Sequence, residues 1–200
     1  MTSNPNATLE SLVIQSLAKC LQRLERVSAG TWQVAGAKVT TGTVGDALGG
    51  HNFKNPAVAV YFNLKGISPL TAIMLFDPAD MECISKCFTG HSFPHGSATT
   101  MAEEVMLTEL GNIVMNSLIN GLLNALRRQS IPTIPGFAEG GLAELTAELG
   151  KTVNVKQEFR IITANLNLKW DAATAKVEAI ALVPEELTME LELLQPPAAQ

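Results

Sequence analysis

Apolar residues at Leu9, Leu12, Val13, Leu17, Ala18, Leu21 and Leu24 recur at helical intervals and Gly30 marks a stop, so residues 9–27 are predicted to form a first long helix. The period then changes. Residues 32–43 and 57–65 are rich in β-branched and aromatic side chains and predict two strands, separated by the glycine-rich stretch G-D-A-L-G-G-H-N, which reads as a turn. A third strand is expected over residues 71–76. It ends at Asp77-Pro78, where the aspartate can cap a helix begun by the proline, so residues 79–88 should turn helical and close at Gly90. Thr100 and Glu103 have the spacing of a capping box and open the longest helical pattern in the chain, residues 101–128, which Pro132 and Pro135 stop. A short helix around Leu142, Leu145 and Leu149, strands over 156–169 and 174–183, and a helix after Pro184 complete the series.

The same order runs through both halves: a long helix, an extended segment, two strands, then a proline-started helix. L-F-D-P-A-D-M-E-C-I, from Leu75, corresponds to A-L-V-P-E-E-L-T-M-E-L, from Ala181. We therefore expect one domain over residues 1–200 with an internal duplication, its units covering about residues 8–90 and 99–195. The economical arrangement is α+β and two-layered. One antiparallel sheet would carry the two long helices on one face, with the halves related by a pseudo-twofold axis.

Composition narrows the function. Hydrophobic residues make up 46% of the chain and charged residues 16%, enough apolar surface for a sizeable core. The net charge of −5 and the absence of a basic cluster argue against a nucleic-acid footprint, which needs Lys and Arg to displace phosphate counterions. No apolar run reaches the roughly 18 residues needed to span a bilayer, and the first residues lack the pattern of a signal peptide. A cytoplasmic protein without a membrane segment is expected. Cys20, Cys83 and Cys87 are an odd number at spacings that form no disulfide framework, so free thiols in a reducing compartment are expected.

The segment T-E-L-G-N-I-V-M-N carries the chemistry that composition does not explain. On a helix Glu109 and Asn112 are neighbours, and Asn116, Asn120 and Asn124 continue the same stripe, while Leu107, Leu110, Val114, Leu118, Leu122 and Ala125 take the opposite side. A helix that packs on a core needs a polar face. Such faces normally carry Lys, Glu, Gln and Arg, however, because Asn competes with the backbone for hydrogen bonds and costs helix stability.

Glu109, Asn112 and Pro135 have the spacing Glu, two residues, Asn, twenty-two residues, Pro, in the wording E-L-G-N-I with a proline exit at Pro132 and Pro135. This resembles the signature of the chemotaxis response-regulator phosphatases CheC and CheX, with the related FliY. N-P-A-V-A-V-Y-F-N-L-K-G followed by A-I-M-L-F-D-P is similar to their central hairpin, and the likeness runs from about Leu9 to Leu194. It implies an aspartyl-phosphate phosphatase whose substrate is a phosphorylated CheY-type response regulator. Asn112 would enter the regulator's pocket and orient the attacking water, and Glu109 would pair with the regulator's lysine. Mg2+ is expected in the regulator, with no cofactor bound by this chain. Pairing with a second copy and binding of a CheD-type deamidase are left open.

Two departures qualify the likeness. The family often has Asp or Ser four residues before the glutamate, where this chain has Val105, and aligning the two long helices puts Glu10 opposite Glu109 but Val13 opposite Asn112. One working site is therefore expected. The rival is a non-catalytic docking or flagellar-switch-like module that binds the regulator through the same helix. Cys83, Cys87, His91 and His95 recur in steps of four, but Gly90 and Pro94 interrupt any helix that would carry them, which weighs against zinc. No G-x-S-x-G elbow supports a Ser-His-Asp site, and Gly45, Gly49 and Gly50 are too loosely spaced for a nucleotide loop. Trp32 and Trp170 lie in or beside strands and are read as packing residues.

Overall fold

The computed structural model describes residues 5–51, 53, 56–65, 70–93 and 98–193. Its helices are α1 (Pro5–Leu24), α2 (Val44–Gly49), α3 (Met81–Thr89), α4 (Met101–Ala125), α5 (Leu142–Leu149) and α6 (Glu185–Glu192). Its strands are β1 (Thr31–Gly42), β2 (Ala57–Lys65), β3 (Thr71–Phe76), β4 (Ile131–Pro132), β5 (Gly136–Gly140), β6 (Phe159–Trp170) and β7 (Ala173–Val183). They form one sheet in the order β1-β6-β7-β3-β2-β4, with β5 also pairing with β2, and every pairing is antiparallel. The fold is α+β, as the periodicity predicts. Exchanging β1, β2 and β3 for β5, β6 and β7 leaves the path from β1 through β6, β7, β3 and β2 to β5 unchanged.

Strands β2 and β3 are buried on both faces, which is why they read as nearly continuous apolar runs. On one face Val58, Val60, Phe62, Met74, Ala164, Leu166, Val177 and Ala179 meet Leu9, Val13, Leu17 and Leu21 of α1 and Leu107, Leu110, Val114 and Leu118 of α4. Helices α3 and α6 close the ends of this layer through Ile84, Cys87, Leu187 and Leu191. The other face is not bare. There α2 and α5 cover Ala59, Tyr61, Ile73, Leu75, Ile180 and Leu182 with Val44, Leu48, Leu145 and Leu149.

Helix α2 replaces the turn expected in the glycine-rich stretch. The Thr43 hydroxyl accepts from the Asp46 N–H at 3.3 Å and the Asp46 carboxylate accepts from the Thr43 N–H at 2.7 Å, a capping box that starts a helix too short to show a period. Burial of Val44, Ala47 and Leu48 then holds it. A smaller difference follows Asp77. Its side chain does accept from Ala79 N–H at 2.9 Å, but the turn it caps is 3-10 over Pro78–Asp80, and α3 begins only at Met81. At the far end of α4 the last residues of the predicted helix unwind, with Arg127 at φ 53°.

Helix α1 and the turn that follows it also guard the edge of the sheet. Glu10 accepts from the Val39 N–H at 3.2 Å and Glu25 from the Trp32 N–H at 2.9 Å, which occupies two donors of strand β1 that no neighbouring strand can reach. The Trp32 indole donates to Ser28 Oγ at 2.8 Å, so this tryptophan is a packing residue with its polar atom satisfied. Helices α1 and α4 lie side by side and antiparallel, since Ser16 meets Ser117 while Cys20 meets Ile113. Each serine hydroxyl donates to the other residue's carbonyl, at 3.1 and 3.2 Å. Gly121 allows this approach, because a Cβ there would overlap the Ser16 side chain.

Candidate functional site

The capping box at the start of α4 forms as the sequence predicts: Thr100 Oγ1 accepts from the Glu103 N–H at 3.4 Å, and Glu103 Oε2 accepts from the Thr100 N–H at 2.7 Å. Glu103 is only 1% exposed, so a carboxylate is retained in the core by the hydroxyl and amide it binds at the positive end of the helix. From this fixed start the helix turns Leu107, Leu110, Val114 and Leu118 fully inward. The opposite side therefore faces outward. Glu109 is exposed, Asn112 and Asn116 are half-buried, and Asn120 and Asn124 are exposed.

Neither member of the expected pair is locked into the core. Residues three apart on a helix have Cβ atoms roughly 5–6 Å apart, so the Glu109 carboxylate and the Asn112 carboxamide leave the surface as neighbours. Asn116 Nδ2 donates to Asn112 Oδ1 at 2.8 Å, a contact between two members of the stripe that the spacing alone does not reveal. Val105, one turn before Glu109, is 65% exposed and gives the pair an apolar flank where the family's signature often has a polar one.

The glycine in E-L-G-N has a structural cause. A Cβ at Gly111 would come within 2.9 Å of Val60 Cγ1 and 3.1 Å of Val60 Cβ, so the missing side chain lets α4 lie close on strand β2 beside Asn112. The prolines also act locally. Pro132 of β4 pairs with Leu64 of β2, and the Thr133 N–H reaches Asn63 O at 2.8 Å, which returns the chain from α4 to the free side of β2. A residue without an N–H is tolerated there because β4 lies outside the sheet's centre.

The first half has no equivalent pair. Val13 is 1% exposed and belongs to the core, while the carboxylate of Glu10 is engaged with the Val39 N–H. The other sequence signals separate as well. Cys20, Cys83 and Cys87 are buried and unoxidised, and burial raises all three thiols, Cys87 to about 12, so they are protonated at neutral pH. His91 is exposed and His95 lies outside the described residues. Among the described residues no group of three or more His, Cys, Asp or Glu is arranged to hold a metal ion. His51 stacks on Phe53 with ring centroids 4.7 Å apart, and burial lowers its pKa. Where the second sheet face is left uncovered, a polar hollow gathers Asp77, Asp80, Asn165, Lys176 and Glu178. Burial raises both the Glu178 and the Asp80 carboxyl. No helix among the described residues is long and apolar enough to cross a membrane.

No family model and no curated protein matches the chain. Solved structures do. FliY from Thermotoga maritima superposes with a TM-score of 0.68 at 11% identity, covering 96% of this chain and 95% of that one. A chain of the FliG-FliM complex from H. pylori gives 0.66 at 14% identity, covering 92% and 96%. The chemotaxis protein CheX from Vibrio vulnificus gives 0.53 at 14% identity, covering 86% and 99%. Identities this low carry the architecture and nothing finer, and the architecture agrees over nearly the whole chain: the protein has the CheC/CheX/FliY fold.

Proposed function

We propose that the protein is an aspartyl-phosphate phosphatase acting in the cytoplasm on a CheY-type response regulator. The observation that carries this reading is the outward acid and amide of α4, Glu109 and Asn112, on a helix capped at its start and clamped along its length. In the reaction a water oxygen attacks phosphorus, the bond from phosphorus to the aspartyl oxygen breaks, and carboxylate and inorganic phosphate result. The regulator supplies the phosphoryl group, the Mg2+ that neutralises its oxygens and the lysine beside it. What remains is to hold the water in line. Asn112 suits this role, since a carboxamide accepts from water and donates to oxygen without adding negative charge.

Glu109 serves as the anchor. Beside a phosphoryl group its charge is tolerable only when paired, and a lysine of the partner would both neutralise it and fix the register of α4 in the pocket. A hundredfold acceleration corresponds to about 2.7 kcal/mol, within the range that ordering one water and forming one charge pair supplies. The test follows phosphate release, or fluorescence decay, of a phosphorylated receiver domain with and without the protein. Asn112→Ala is expected to return the decay to its spontaneous rate with the complex still forming. Glu109→Ala is expected to raise the concentration needed for half-maximal acceleration more than it lowers the maximum.

A second reading has its own support. The likeness to FliY and to the FliG-FliM complex is higher than that to CheX, and Val105 presents an exposed apolar side chain where a polar one is common in the family's signature. Under this reading α4 docks on the regulator without hastening hydrolysis. Complex formation with an unchanged decay rate would decide for it.

A further inference from the structure

Resting on the phosphatase reading, we propose that Asn116 is a positioning residue, whose carboxamide sets the orientation in which Asn112 meets the reacting water. The observation is the hydrogen bond from Asn116 Nδ2 to Asn112 Oδ1 at 2.8 Å. An asparagine amide has a broad, nearly two-fold χ2 preference, so on an open helix face Asn112 would offer its oxygen and nitrogen in either order. Asn116 couples the two amides: with its NH2 group turned to Asn112, Oδ1 of Asn112 faces the next helical turn and Nδ2 faces away from it, and the reverse order requires both amides to flip together. Oδ1 keeps a second lone pair for a water proton, and Nδ2 is directed to the opposite side of the amide.

The turn that bears Asn116 is itself fixed. Its neighbour Ser117 exchanges hydrogen bonds with Ser16 of α1, and both asparagines are half-buried, which narrows the arc their side chains can sweep. In this assignment Asn116 acts through its hydrogen bond to Asn112 rather than on the reacting atoms. Its loss is therefore expected to lower the turnover rate while leaving recognition of the regulator intact.

The experiment measures kcat and KM for dephosphorylation of a phosphorylated receiver domain by the wild type, Asn112→Ala, Asn116→Ala, Asn116→Asp and Asn116→Gln. One net hydrogen bond of ordering corresponds to roughly a two- to tenfold loss, so Asn116→Ala should lower kcat by that factor with KM unchanged. Asn116→Asp replaces the donor with an acceptor and should be slower still. Asn116→Gln retains the NH2 group and should recover most of the rate. In 15N spectra of the free protein the Asn116 side-chain NH2 signals should shift in Asn112→Ala. Wild-type kcat in Asn116→Ala or Asn116→Asp, or a change in KM alone, overturns the positioning role while leaving that of Asn112 intact. If the wild type itself leaves the decay at its spontaneous rate, the phosphatase reading fails and this inference falls with it.

Discussion

Gly111 stands between Glu109 and Asn112 in sequence and between helix and sheet in space, so a methyl group added there probes both the packing and the candidate site. In Gly111→Ala the new Cβ would lie 2.9 Å from Val60 Cγ1 and 3.1 Å from Val60 Cβ, whereas ordinary carbon contacts fall at roughly 3.5–4 Å. Val60 is completely buried in a strand buried on both faces and has no room to retreat. The helix must lift by several tenths of an ångström. Overpacking of this kind costs about 1–3 kcal/mol, against about 1 kcal/mol gained from alanine's better helix propensity, which leaves a net loss of about 0–2 kcal/mol. For a chain of this length each kcal/mol lowers Tm by about 2–4 °C.

The cycle with Val60→Ala separates the two terms. Removing Val60's methyl groups relieves the closer contact and leaves the one to Cβ, so Gly111→Ala should be about 1 kcal/mol less harmful in that background than in the wild type. Urea unfolding by linear extrapolation measures all four corners. Additivity within about 0.5 kcal/mol, or a Gly111→Ala protein stabilised by the full propensity gain, would refute the close approach. Function should follow packing. Lifting the helix at residue 111 moves Asn112, so under the phosphatase reading the single variant is expected to lose rate and the double variant to regain part of it.

Two further outcomes test the frame around the site. Thr100→Ala removes the hydroxyl that caps α4 and binds the buried Glu103 carboxylate, and should lower stability by about 1–2 kcal/mol in urea titrations. Glu178→Gln tests the polar hollow on the second face. Burial raises the Glu178 carboxyl above its unfolded value, so its contribution to stability is present below the unfolded pKa of about 4.3 and is lost as pH rises through the folded value. The non-ionising variant should therefore gain on the wild type between pH 4 and pH 8. A difference in urea midpoint that stays flat or shrinks over that window would contradict it. The nearby Asp80 carboxyl, also raised chiefly by burial, has the same sign and remains in the variant.

What the sequence made legible follows from how strongly each signal repeats. Residues 57–65 and 71–76 are read correctly to the residue because strands buried on both faces concentrate β-branched and apolar side chains between turn residues. The start of α4 is equally plain, since Thr100 and Glu103 are two halves of one capping device. Helix α2 was illegible as a helix, because its six residues include Gly45 and Gly49 and its stability comes from α5 and the sheet, contacts that no local pattern carries. The cover that α2 gives the second face is illegible for the same reason.

The candidate site divides along the same line. Spacing alone gives the outward direction of Glu109 and Asn112, because a helix with Leu107, Leu110, Val114 and Leu118 on the core has only one side left for them. The Asn116 bond to Asn112 is compatible with the four-residue interval but is not implied by it, since the interval makes the side chains neighbours without fixing their rotamers. The reason for Gly111 required the partner strand. A glycine inside a helix costs about 1 kcal/mol relative to alanine, and that cost becomes intelligible once Val60 is seen beneath it. The asparagines, which weaken the helix, and the glycines, which let it approach its neighbours, thus belong to one compromise. The rod gives up intrinsic stability on its exposed side for a neutral, hydrogen-bonding surface, and recovers it through close packing at residues 111 and 121 against strand β2 and helix α1. Stabilising substitutions by helix propensity alone should therefore succeed at Asn120 and Asn124, and should cost function or packing at Gly111, Asn112, Asn116 and Gly121.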